Sequence, residues 1–431
     1  MLMLFYGRKI TWTFVLLLLF FNLSHSFADE TLEIQLPRNR LQTDQIGVVV
    51  NDKDPLSLRI GKYYIEARGI PEENLLHVSF QPGKKSISPK HFAQIRKSLL
   101  NETAKHIQAY AITWITPYRV SCMSITSAFT FGFDNSWCSE KICASTRNSP
   151  YYNYDGSTPY TDLSVRPTIS IAAKNFDDAK ALIDRGIASD GTLPKGTAYL
   201  MSTSDKQRNV RARDYLMTRN LMQRWIDTRI VRGDALRNRK DVLFYFTGKT
   251  HIDGLNTLTF LPGAIADHLT STGGRLDGSK QMSALRWLEA GATGSYGTVV
   301  EPCNHLGKFP DPRLVIEHYS HGETLLEAYW KSVQQPGEGI FIGEPLAAPF
   351  DRIELRKSAT GIVLITRNLK PGQYQLSHAS NPIGPFKKLQ TLRVKPHQDR
   401  FKLTATSSGY YRLEAILMGL HPKGLDFFER A

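Results

Sequence analysis

The chain has 431 residues, 41% of them hydrophobic and 22% charged, with a formal charge of +14. That balance excludes a disordered or low-complexity chain, and the lack of a second long apolar run excludes a polytopic membrane protein. It leaves room for one large α/β domain and a smaller second one.

At the N-terminus, Arg8 and Lys9 precede an apolar run over residues 10–23, and Ser26-Phe27-Ala28 closes it. This tripartite pattern predicts a secretory signal peptide over residues 1–28, cleaved after Ala28, with no transmembrane segment left in the mature chain. Residues 45–50 (QIGVVV) read as a strand ending at Asn51-Asp52. Residues 55–68 read as an amphipathic helix stopped by Gly69-Ile70-Pro71, and residues 75–80 as the next strand. That β-α-β unit opens a doubly wound, mainly parallel sheet. Helices over 89–100 and 177–187 and strands over 109–115, 168–172 and 197–201 continue the alternation. Residues 121–165, rich in Ser, Tyr, Asn and Cys, read as a long insertion forming a surface lobe.

Residues 206–240 hold a dense set of basic side chains, with Val210, Leu221, Met222, Trp225 and Ile226 near helical spacing. They read as a surface helix with one buried stripe. Its arginines are either a solvated face or the attachment site for an acidic polysaccharide or an anionic envelope surface. Export argues against nucleic acid. Residues 242–246 (VLFYF) have the character of a central strand. A helix over 281–290, a strand over 294–300 and a helix beginning at His321-Gly322 and running to 333 follow. After residue 350, six short alternating strands separated by turns predict an immunoglobulin- or fibronectin-like β-sandwich over 351–431. The expected domains are therefore 1–28, 29–350 and 351–431.

Cys122, Cys138, Cys143 and Cys303 form an even set in an exported chain, which favours disulfides. Cys138 with Cys143 is the simplest pairing, leaving Cys122 for Cys303. Ligands of an open parallel sheet bind beyond the strand carboxyl ends. The candidates there are Asn51 and Asp52; Lys249 and His251 after VLFYF; and Glu301, Asn304 and His305 after the 294–300 strand. Asp267 and His268 precede a Thr-Ser-Thr-Gly-Gly loop, whose Ser271 and Thr272 could present hydroxyls to an anion or carbonyl. The hydrolase reading takes Asp267, His268 and Glu301 as general acid/base groups, with Asn51, Asp52, Lys249, His251, Ser271, Thr272 and Asn304 as binding groups. Glu301 could equally anchor its turn, and a Cys303 thiol nucleophile is a further alternative. No H-x3-H or C-x2-C spacing supports a metal site, and no cofactor motif is present.

The stretches VVVNDKDPLSLRIGKYYIEARGIPEENLLHV, LPGAIADHLTSTGG, GATGSYGTVVEPCNHLGKFPDP, HGETLLEAYWKSV and IFIGEPLAAPF together resemble a family of exported bacterial proteins. That family occurs in species with exosortase and the PEP-CTERM sorting system, and the likeness covers residues 45–350. It implies a secreted or periplasmic place in a bacterial envelope and a link to exopolysaccharide and protein sorting, and supplies no activity. The chain also distantly resembles the gingipain branch of caspase-like cysteine peptidases, which join a doubly wound α/β domain to an immunoglobulin-like one. Those peptidases place a His-Gly after one central strand and a nucleophilic Cys after the next. Here VLFYF runs into Thr247-Gly248, and residues 258–268 hold no cysteine. The resemblance therefore implies the scaffold without the Cys-His dyad.

Overall fold

The computed structural model describes residues 32–139, 143–358, 361–404 and 409–416, so the expected signal peptide lies outside the described residues. Within them the chain is a mixed α/β protein with one large, mainly parallel sheet and smaller sheets. The large sheet contains β1 (Ile46–Asn51), β2 (Leu75–Val78), β3 (Ala109–Ile112), β4 (Thr168–Ser170) and β5 (Thr197–Ser202). It continues with β6 (Asp227–Arg232), β7 (Val242–Gly248), β8 (Phe260–Leu269), β9 (Gly294–Thr298) and β10 (Gly339–Gly343). The strand order is β6-β5-β7-β8-β9-β10-β4-β3-β1-β2.

The strand directions decide where a site can form. Strands β1 to β4 are mutually parallel, and so are β5 to β9. Strand β10 pairs antiparallel with β9 and parallel with β4. The sheet is thus two parallel blocks running in opposite senses, and the carboxyl ends of β1 and β3 lie at the opposite edge from those of β7, β8 and β9. The expectation of one shared carboxyl edge does not hold. The cause is β10, a five-residue, fully buried strand (GIFIG) too short to show a period in sequence.

Local rules place the helices. Helix Pro55–Arg68 starts where the Asp54 carboxylate accepts from the Leu56 N–H at 3.0 Å, and it stops at Gly69, whose φ of 62° is left-handed. Its buried Ile60, Tyr64 and Ile65 pack beside β1. Expectation and structure part in three places. Residues 121–165 are not surface throughout. Helix Ile125–Phe131 within them is buried over residues 125–130, and Phe131 stacks on Trp137 at 3.9 Å. The short run ITSAFTF packs against β10, with its buried Thr126, Ser127 and Thr130 hydroxyls donating to backbone carbonyls. Residues 206–240 are not one helix. They form a 3-10 turn Asn209–Asp214, helix Tyr215–Met222 and the edge strand β6. Alternating exposed and covered positions along DTRIVR favour the strand. His321 closes helix Pro312–Ser320 instead of opening one. The next helix, Leu325–Trp330, is started by a Thr324–Glu327 capping box.

All six strands expected after residue 350 are present. Ile353–Ser358, Gly361–Thr366 and Arg400–Leu403 make one sheet, and Gly372–Ala379, Lys387–Val394 and Gly409–Ala415 belong to another. Leu364 and Phe401 from the first share an apolar cluster with Tyr374, Leu376 and Leu413 from the second. Leu32–Gln35 pairs in parallel with Gly409–Ala415, so the first described strand joins this later sheet. Lys370 reaches back to the buried Glu323 at 3.1 Å, and Lys331 holds the same carboxylate at 2.7 Å. No helix among the described residues is long and apolar enough to cross a membrane.

Candidate functional site

Asp267 and His268 are neighbours in β8, so their side chains leave opposite faces of the sheet. Asp267 faces the core side shared with Phe246, and is 1% exposed. Arg211 Nη2 lies 2.7 Å from its Oδ1. That nitrogen also donates to the Thr247 carbonyl at 2.7 Å, and Nη1 donates to the Pro310 carbonyl. Among the described residues neither Asp267 oxygen receives an aligned hydrogen bond, so charge is what holds the pair. Burial pushes the Asp267 carboxyl above its usual range, and Arg211 opposes that shift.

His268 faces the other side, among Tyr199, Tyr245, Ala266 and Trp287. Trp287 Nε1 donates to His268 Nδ1 at 2.9 Å, and the remaining ring proton on Nε2 is given to the Met282 carbonyl at 3.0 Å. Both ring nitrogens are engaged, and the imidazole is held as one neutral tautomer. Burial pulls its pKa from the ordinary 6.5 down to about 4. This has a measurable sign. Below pH 6.5 the unfolded chain takes up a proton that the folded imidazole refuses, so stability present above that pH is lost as the pH falls towards 4. The loss is about 3 kcal/mol. His321, also lowered by burial, adds to the same slope. Chemical denaturation at pH 7 and pH 4 should therefore show wild type losing about 3 kcal/mol more than His268→Gln; equal losses would contradict the assignment.

The loop after β8 turns inward. Thr272 N–H and the Thr270 and Thr272 hydroxyls all donate to the Gln281 side-chain carbonyl, and Gly274 N–H donates to the Thr298 carbonyl. A Cβ on Gly297 would lie 2.5 Å from the Gly273 carbonyl carbon. The two glycines of this loop thus press against β9, and the donors of Thr270, Thr272 and Gly274 are spent in the fold. Ser271 is 7% exposed. Strand order reverses between β5 and β7, where an open sheet would offer its crevice. That place is filled by the chain itself. A Cβ on Gly248 would come 1.9 Å from the Arg208 carbonyl oxygen, and Thr203 Oγ1 donates to the Gly248 carbonyl at 2.7 Å. Thr247 is fully buried in β7.

The other candidates are scattered. Glu301 is exposed and accepts the Cys303 N–H at 2.8 Å, the anchoring role for its turn. Cys303 and Asn304 both take a left-handed φ of 56°, so the loop turns back at once. Asn51, fully buried at the opposite sheet edge, clasps Phe80 through paired side-chain–backbone hydrogen bonds of 3.0 and 3.1 Å. Asp52 pairs with His77 at 2.6 Å, Lys249 pairs with Asp234 at 2.8 Å, and His251 is exposed. Asp267, His268 and Glu301 do not share a pocket. A polar cavity of about 210 Å³ is lined by Arg211, the partner of Asp267, together with Tyr152, Arg213, Asp214, Asp311 and Gln334. Among the described residues no three His, Cys, Asp or Glu side chains gather to hold a metal ion.

The disulfides are Cys122–Cys138 and Cys143–Cys303, which corrects the expected pairing. Cys122 follows the short strand Arg119–Val120 and lies beside the 3-10 turn Asn135–Trp137, whose end presents Cys138. Cys143 is thereby left for the Glu301–His305 turn. No cysteine is free, so the reading of Cys303 as a thiol nucleophile is excluded in this disulfide-bonded state. Sequence reasoning missed Arg211 as the buried partner of Asp267, and Gln281 and Trp287 as the groups that occupy the β8 end. A lone Arg among many and a Trp in an apolar helix carry no signal of that kind.

No protein-family model matches the chain, and no curated protein matches it. A solved structure titled "Structure of Protease" is similar at a TM-score of 0.42 and 12% identity, covering 87% of this chain and 98% of that one. A likeness at that level carries no argument about fold or activity.

Proposed function

We propose that the chain is an exported envelope protein, built on a caspase-like α/β scaffold with a C-terminal β-sandwich, that binds polyanions and has no cysteine peptidase activity. Two disulfides and the N-terminal sequence pattern support export. Two apolar-cored sheets after residue 350 support the sandwich. The proposed domains are 29–350 and 351–431, with Leu32–Gln35 added to the second. The sequence resemblance supports a role beside exopolysaccharide or protein-sorting processes.

One observation carries the binding role. Residues 206–240 wrap the β6 edge of the sheet and leave Arg224, Arg232, Arg237, Arg239 and Lys240 exposed, none within ion-pair distance of a carboxylate among the described residues. Arg213 is 72% exposed and its contact with Asp214 is long at 3.4 Å. Unpaired surface cations concentrated on one rim raise the local potential and draw polyanions. The hydrolase alternative lacks such support, because His268 is neutral and clamped while Asp267 points away from it.

The test is retention on an immobilised acidic polysaccharide. Arg213→Gln/Arg224→Gln/Arg232→Gln should bind about tenfold more weakly than wild type at low salt, since three exposed charges leave the contact. Arg211 is left alone because it is buried. Equal retention of the triple variant would sink the proposal.

A further inference from the structure

Helix Tyr215–Met222 has two unlike sides. Tyr215, Thr218 and Met222 are buried at 2%, 1% and 3% exposure, and fix the helix to the body of the protein. Leu216, Met217 and Leu221 face outward at 56%, 50% and 42%. Large exposed hydrophobic residues are few among the described residues, and three of them fall within these six positions. Within the helix, positions 216, 217, 220 and 221 share one side. That side carries an apolar centre, with the exposed Arg213 in the 3-10 turn before the helix and the exposed Arg224 just past its end. The half-buried Arg219 stands on the flank.

We infer that this helix docks the protein on an anionic lipid bilayer, with Leu216, Met217 and Leu221 entering the headgroup–acyl boundary and the arginines meeting lipid phosphates. The inference rests on the polyanion-binding reading and narrows it. An acidic polysaccharide would satisfy the arginines but offers no apolar phase for Leu and Met. A second copy would set the same arginines face to face on a chain of formal charge +14. An anionic bilayer supplies both halves of the complement, phosphate for the rim and hydrocarbon for the centre.

Flotation of the full chain with vesicles tests this, comparing phosphatidylglycerol-containing vesicles with pure phosphatidylcholine. Wild type should float with the anionic vesicles only. Leu216→Ser/Met217→Ser/Leu221→Ser should lose roughly tenfold or more of that affinity, keep its retention on acidic polysaccharide, and unfold at the wild-type temperature. Arg213→Gln/Arg219→Gln/Arg224→Gln should lose both. A serine variant that floats like wild type overturns the inference. So does wild type that is retained on polysaccharide but never floats, an outcome that leaves the polyanion reading standing. Failure to bind either probe removes both.

Discussion

Replacing Arg211 with methionine will lower the free energy of unfolding by about 3–5 kcal/mol at neutral pH, because it strands a buried carboxylate. Asp267 is 1% exposed and Arg211 is the cation beside it, 4% exposed at its own side chain. The loss should shrink as the pH falls. A carboxyl whose folded pKa is raised is favoured in its protonated form, so the penalty, full above that pKa, fades as the pH falls through it and is gone below the ordinary aspartate range. The double variant Arg211→Met/Asp267→Leu removes both charges and should recover much of the stability lost by Arg211→Met alone. Urea denaturation of wild type and the two variants settles the point: a double variant no more stable than Arg211→Met would mean that packing, and not the stranded charge, sets the cost. The result also bears on function. Arg211 lies in the basic segment but belongs to the interior, so its loss would weaken any binding by unfolding the chain.

Removing the Cys143–Cys303 disulfide through the double serine variant should cost about 5 kcal/mol, and removing Cys122–Cys138 about 3 kcal/mol, by the chain entropy of loops of those lengths. The sequence separations are 160 and 16 residues. The alternative pairing would invert the pattern for Cys143, since a Cys138–Cys143 loop constrains little. Denaturation midpoints for the two double variants give the ranking, and alkylation of native, unreduced protein should label no cysteine. Labelling of Cys303 would restore the thiol as a chemical group at the β9 end.

Much of the architecture was legible because local chemistry punctuates it. Asp54-Pro55 and Gly69 bound the first helix at both ends, and the turns after residue 350 separated every strand in that region. The candidate site was less legible for physical reasons. Adjacent residues such as Asp267 and His268 can act together on a helix or loop, but in a strand they are parted by the sheet. Recognising ADHL as the end of a strand would have ruled out their pairing. The reversal of the sheet at β10 is a tertiary fact, fixed by where Ile340–Ile342 finds partners, and it moved Asn51 and Asp52 to the far edge. Disulfide connectivity is set by folded distances that spacing alone does not contain. In residues 206–240 the arginines hid the alternation of DTRIVR, so a turn, a helix and an edge strand read as one helix.

Binding without catalysis at the strand ends is tested most directly by equilibrium binding of the full chain to a soluble uronic-acid polymer across a salt series. The exposed arginines of 206–240 predict tight binding at low salt, with log affinity falling steadily as log salt rises, and a shallower fall for Arg213→Gln/Arg224→Gln/Arg232→Gln. An affinity that does not change with salt, or no binding at the lowest salt, would contradict it.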